Sequence, residues 1–321
     1  MKQTDYAFCV AKIRANETRL LSDEFINKLS EAKDYDDAVR MLSEKHWMTS
    51  EETIVQAVAR QSLELWELLK DSVPYKQDLE LLCITNDYQN IKVAVKCLLA
   101  KQNAHDYFVY PTTLNLDELV SSVKNLDFER FDKHFGECAF KAYDIATKTE
   151  NGQLSDIIID NAALTMLLSA AKKSKDKIFA QVCSFIADTA NIRIALRCAK
   201  TNKDTAFIEE AVSECKNLDR KRLVECCKTG YDEVLKYLEI TEYSQGVKIY
   251  SETPSLFDKW CDDEIIRIIS NAKYTAFGFA PVCSYYYKKM TEIKCIRIIL
   301  SAKLAGADAT TVKERVRVLN V

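Results

Sequence analysis

The chain has 321 residues, enough for about two or three domains of ordinary size. Apolar residues make up 48% and charged residues 29%, which is ordinary for a soluble folded protein, and the net charge of −3 leaves no basic footprint for nucleic acid. Six glycines and four prolines are too few turn formers for a many-stranded β fold, so long helices are the expectation.

The stretch from Tyr6 to Leu21 keeps roughly helical spacing through Ala7, Val10 and Ile13. Ser22 starts a short helix carrying Phe25, Ile26 and Leu29, and Asp34 precedes another. Thr49 with Glu52 has the capping-box spacing and predicts a helix through Ile54, Val58, Leu65, Trp66 and Leu69. Pro74 suits the first turn of the next helix. Asp87 opens a segment in which Ile91, Ala94, Val95, Leu98 and Leu99 form one apolar stripe, with Lys92 and Lys96 on the opposite face.

That segment recurs. Asn90-Ile-Lys-Val-Ala-Val-Lys-Cys returns as Asn191-Ile-Arg-Ile-Ala-Leu-Arg-Cys and, more worn, as Glu292-Ile-Lys-Cys-Ile-Arg-Ile-Ile, 101 residues apart each time. The basic pairs are Lys92/Lys96, Arg193/Arg197 and Lys294/Arg297. A second motif also occurs three times, at Ser30-Glu-Ala-Lys-Asp-Tyr-Asp, Ser121-Ser-Val-Lys-Asn-Leu-Asp and Ser213-Glu-Cys-Lys-Asn-Leu-Asp. A third pairs Ala180-Gln-Val-Cys-Ser-Phe with Ala280-Pro-Val-Cys-Ser-Tyr. A fixed period marks a duplicated unit. Boundaries at Tyr110-Pro-Thr-Thr and Thr201-Asn-Lys-Asp-Thr give three helical modules, residues 1–112, 113–204 and 205–321. Periodicity alone does not choose between an open superhelix and a closed ring or funnel.

The N-terminus shows no apolar signal region, and no run approaches about 18 uninterrupted apolar residues, so no segment is expected to span a membrane. Twelve scattered cysteines without a C-x-x-C read as reduced, mostly buried thiols, and the vicinal Cys226-Cys227 reads as helix packing. His134 and Cys138 have the i,i+4 spacing of a metal pair, but no second pair supports a site. No Gly-rich phosphate loop and no nucleophile motif is present, so no catalytic residue, metal or cofactor is expected. Tyr285-Tyr-Tyr reads as a helix with at least one ring in the core. The basic pairs are either a solvated helix face or a surface presented once per module to a partner.

The C-terminal stretch resembles the end of one family: the C subunits of the bacterial and archaeal V/A-type ATPases, whose eukaryotic V-ATPase counterparts are the d subunits. The resemblance is carried by Phe277-Gly278, Pro281-Val282, Tyr285, Glu292, Ile296-Arg297, Lys303 and Gly306. Tyr6, Ala11, Arg14, Glu17, Leu20 and Leu21 resemble the family's opening helix. Asp87-Tyr-Gln-Asn-Ile-Lys is similar to its Asp-Tyr-x-Asn-Leu-Lys motif, and Pro254, Leu256, Phe257 and Trp260 fit its third module. Cys295 departs from the pattern, and the middle module matches least.

The resemblance implies an all-α funnel of three similar modules in a pseudo-threefold arrangement. It implies a non-catalytic role on the cytoplasmic face: a central-stalk socket between the membrane proteolipid rotor ring and the D and F subunits of the central shaft. Torque would pass through it during ATP-linked H⁺ or Na⁺ transport. On that reading Lys92, Lys96, Arg193, Arg197, Lys294 and Arg297, with Glu292, line the socket against the shaft. The alternative is a helical adaptor of the same ancestry docking on a different partner.

Overall fold

A computed structural model describes residues 2–149 and 152–319. Among the described residues there are sixteen α-helices and three short 3₁₀ helices, and no strand. The short helices start where the sequence supplies an acceptor for their orphan N–H groups. Ser22 accepts from the Phe25 N–H and Asp34 from the Asp37 N–H, at the helix starts expected for them, and Asn115 accepts from the Glu118 N–H. Asp204, Asp219 and Asp308 do the same for later helices. One cap differs from expectation. The helix Ile54–Ser72 is capped by Thr53, whose partner in the capping box is Gln56. Thr49 and Glu52 instead form the turn before it, with the Thr49 N–H donating to Glu52. Both boxes have the same spacing, and only the one adjoining the apolar periodicity begins the helix.

Three long helices carry the repeat: Lys76–Ala100, Lys177–Lys200 and Phe279–Leu304. Their apolar stripes are buried at Ile91, Ala94 and Val95, at Ile192, Ala195 and Leu196, and at Ile293, Ile296 and Leu300. Leu99 is an exception, being exposed on the last turn of the first repeat helix. Tyr285 and Tyr286 are both buried, so two rings of the aromatic run serve the core.

The chain divides into two compact units, each assembled from segments far apart in sequence. Unit 1 comprises residues 1–79, 175–182 and 243–321. Its core brings Ile26, Leu29, Leu42, Trp47 and Met48 from the N-terminal segment against Ile293, Ile296, Ile299 and Leu300 of the third repeat helix. Phe179 meets Phe279 edge to face in the same unit, with ring centroids 5.4 Å apart. The C-terminal residues add to this core through Val312, Val316 and Leu319, and the Leu319 N–H donates to Asp23 at 2.7 Å.

Unit 2 comprises residues 80–174 and 183–242. Here Lys133–Thr149 and Gly152–Lys173 pack along each other as a helical hairpin. Gly152–Lys173 is long and apolar enough by composition to cross a membrane, an 18-residue stretch of it having a mean hydropathy of 1.4, although its run is broken by Asp156 and Asp160 among other polar residues. The absence of an uninterrupted apolar run therefore did not exclude such a helix. In unit 2 both carboxylates are ion-paired, Asp156 with Lys96 and Asp160 with Lys92.

Ten of the twelve cysteines are buried, and all are free. Cys227 points its thiol at the Ala195 carbonyl, 3.6 Å away, so the vicinal pair is helix packing as expected. Burial pushes the thiols of Cys138, Cys183, Cys215, Cys227 and Cys295 up to about 12, which keeps them protonated and weakly nucleophilic.

In unit 1 the helices Ser244–Glu252 and Pro254–Ser270 touch where Gly246 faces the Trp260 ring. A Cβ at Gly246 would fall 2.4 Å from ring carbons, closer than any real contact. Gly246→Ala is expected to destabilise the protein by about 1–3 kcal/mol through overpacking. Urea denaturation followed by tryptophan fluorescence measures this, and an unchanged midpoint would refute the contact.

Candidate partner interface and its anchor positions

The residues expected to face a partner do not share one environment. Lys96 is exposed and lies 2.7 Å from Asp156, while Lys92 keeps only 14% of its side chain exposed and is 2.6 Å from Asp160. Arg193 is half-buried and Arg197 exposed on the second repeat helix. Lys294 and Arg297 are exposed on the third, where Lys294 shares the Asp262 carboxylate with the buried Arg317. Lys92, Lys96, Arg193 and Arg197 belong to unit 2, and Glu292, Lys294 and Arg297 to unit 1.

Glu292 is a correction. It has no solvent exposure and lines no surface. One carboxylate oxygen accepts the Leu21 N–H at 2.7 Å; the other accepts the Trp47 indole N–H at 2.9 Å and the Lys289 ammonium. Lys289 also lies over the Trp47 ring, 5.9 Å from its centroid. A buried carboxylate is tolerated when each oxygen meets a donor and a cation neutralises it. Its position beside a basic ridge suggested the surface, and its burial by a segment 271 residues away was invisible from there.

The same register on the other two repeat helices holds anchors of the same kind. Asn90 exchanges two hydrogen bonds with the Val109 backbone, at 2.8 and 3.0 Å. Asn191 accepts from the Ser213 N–H at 2.9 Å and donates to the Glu214 carbonyl at 3.2 Å. One turn earlier, Asp87 accepts the Thr113 N–H and both Thr112 and Thr113 hydroxyls, and Asp188 accepts the N–H groups of Lys216 and Asn217. Burial raises the Asp87 carboxyl above its ordinary value, and the threonine bonds pull it part of the way back. The equivalent residue in the third copy is Lys289. Sequence reasoning missed this row, although the 101-residue spacing of Asp87, Asp188 and Lys289 marks it.

From Trp47 the polar contacts continue outward. Its carbonyl accepts from Arg60 at 2.8 Å and from Gln61 at 2.9 Å, and Arg60 grips both oxygens of Glu52. A 760 Å³ cavity in unit 1 opens beside them, lined by Tyr35, Arg40, His46 and Arg60 among others. The His134 side chain is exposed and the Cys138 side chain buried, so the two do not form a ligand pair. No group of three or more His, Cys, Asp or Glu side chains suited to a metal is present among the described residues.

Residues 9–315 match the family described as ATP synthase (C/AC39) subunit. The chain belongs to that family. The match spans nearly the whole chain, including all three repeat helices, so the C/AC39 assignment applies to the entire repeat. The family is that of a V/A-type ATPase subunit of a structural kind. No curated protein matches the chain.

The hydrogen bonds from Arg60 and Thr49 hold the Glu52 carboxyl down from 4.5 to about 2. Between those values the unfolded chain binds a proton that the folded chain does not. The stabilisation is therefore complete above 4.5 and is lost as the pH falls through the window toward about 2. Glu52→Gln should cost about 1 kcal/mol at neutral pH and progressively less in acid. Urea midpoints of both proteins across this range test it; a gap that does not narrow would contradict the assignment.

Proposed function

We propose that the chain is the coupling element of a V/A-type rotary ATPase. It forms a socket that joins the membrane proteolipid rotor ring to the D and F subunits of the central shaft on the cytoplasmic face. The observation that carries this reading is the family match across residues 9–315. The three sequence modules, 1–112, 113–204 and 205–321, would be the three walls of the socket.

The physical character of the chain supports the role. A part that transmits torque needs packed elements that do not bend under load, and close-packed helices with little glycine supply that stiffness. Its buried, protonated thiols and its anchor carboxylates, occupied in holding loops, provide bonding and no reactive group. The exposed cations Lys96, Arg197, Lys294 and Arg297, with half-buried Arg193, are the docking residues on this reading. Lys92 and Glu292 support the helices beneath them. The ion pairs of Lys96 and Lys294 with Asp156 and Asp262 do not prevent docking. Exposed pairs contribute only about 0–1 kcal/mol each and exchange readily for a carboxylate on a partner.

Two measurements test the proposal. Pull-down of the tagged chain from detergent-solubilised membranes should recover the proteolipid ring together with the D and F shaft proteins; recovery of neither would refute the coupling role. Lys96→Glu combined with Arg197→Glu should weaken binding to a D–F complex by about tenfold or more at low salt, and by less at high salt, because rim charges are screened. Equal binding by wild type and the double variant would remove these residues from the interface.

A further inference from the structure

The anchor position is shared by the three repeat helices, but the segment it holds is not. Asn90 holds Val109, 19 residues further on, and Asn191 holds Ser213, 22 residues further on. Glu292 holds Leu21, 271 residues back, and Trp47 with it. The third copy thus grips the N-terminal segment where the first two grip the loop that follows them.

The change of chemistry fits the change of distance. Pinning a loop that leaves the same helix closes only a short length of chain, and there the anchor position itself is a neutral amide, with the Asp87 or Asp188 carboxylate adding bonds to the loop one turn earlier. Closing a loop of several hundred residues costs more conformational entropy. Charge-assisted bonds are roughly twice as strong as neutral ones, and the third copy uses a carboxylate whose charge Lys289 balances. The two neutral donors on Glu292 come from residues 21 and 47, the two ends of the segment that carries the helices Asp23–Ser30 and Tyr35–Glu44. Lys303 reaches the middle of the segment, donating to the Ala32 carbonyl at 2.6 Å from a buried position.

We infer that Lys289 and Glu292 form a clasp that makes residues 21–47 a single cooperative element, docking on and leaving the third repeat helix as one body. Neither end leaves alone without exposing Glu292: departure of Leu21 strips one oxygen of its donor, and departure of Trp47 leaves the other with Lys289 only. The clasp also fixes the register. The apolar stripe of Ile293, Ile296, Ile299 and Leu300 offers no directional contact of its own, and only one alignment of the segment brings Leu21 N–H and the Trp47 indole to the same carboxylate. This inference concerns the chain alone and stands apart from the identity of its partners.

Native-state hydrogen exchange on the full chain tests it, comparing wild type with Glu292→Gln, Lys289→Met and Trp47→Phe. Glu292→Gln is expected to speed exchange about tenfold or more across residues 21–47 together, while residues 105–115 and 213–219 keep wild-type protection. Lys289→Met should act on the same set of amides in the same direction. Trp47→Phe keeps a ring in the core and removes one donor; it should speed those amides by a smaller common factor. Asn191→Ala should act on residues 213–217 and leave 21–47 unchanged. Acceleration limited to amides next to the altered residue, or spread evenly over the whole chain, would overturn the clasp. If Glu292→Gln does not fold, Trp47→Phe decides by the same criterion.

Discussion

A carboxylate removed from water must be met by donors, and at Glu292 this requirement ties together parts of the chain that lie far apart in sequence. The Leu21 N–H, the Trp47 indole and the Lys289 ammonium converge on two oxygens. Around that point the N-terminal helices and the third repeat helix share one core, from Ile26 and Leu29 to Ile299 and Leu300. Apolar burial drives the two segments together, and the buried carboxylate specifies how they align. Removing one partner of such a pair typically costs about 3–5 kcal/mol, a large part of the stability of an ordinary domain.

The all-helical fold was legible because its signals are local. Apolar spacing and caps such as Ser22, Asp34 and Asn115 lie within one or two turns of the residues they organise. The repeat was legible for a related reason, since a duplicated helix keeps its stripe. What a helix face meets is not local. Lys92 and Glu292 stand in similar surroundings along the chain, yet Lys92 reaches the half-exposed Asp160 while Glu292 is sealed within unit 1. Leu99 continues the stripe in sequence but extends past the core that covers it. In the helix Gly152–Lys173 two aspartates interrupt the apolar pattern, and the lysines that pair with them lie about 60 residues earlier.

Membership of the ATP synthase (C/AC39) subunit family gives these features a setting. Titratable groups in a catalytic site are usually tuned for proton transfer near neutrality. Several groups here are instead shifted away from neutrality: thiols pushed up to about 12 by burial, and a Glu52 carboxyl held at about 2 by Arg60. Asp87 and Asp188 spend their lone pairs on backbone and hydroxyl donors of the loops beside them. The polar interior behaves as fastening, which is what a structural part requires.

The distance between Leu21 and Glu292 also has a meaning in time. A ribosome adding about 5–20 residues per second needs roughly 15–55 s to travel the 271 residues that separate them. During that interval Ile26, Leu29, Leu42 and Trp47 have been synthesised, but the helix that covers them has not. Unit 2, whose segments lie between residues 80 and 242, emerges complete before residues 279–304 do. Nascent chains therefore carry an uncovered apolar N-terminal segment for most of their synthesis, and the order of assembly is set by the last repeat to leave the ribosome.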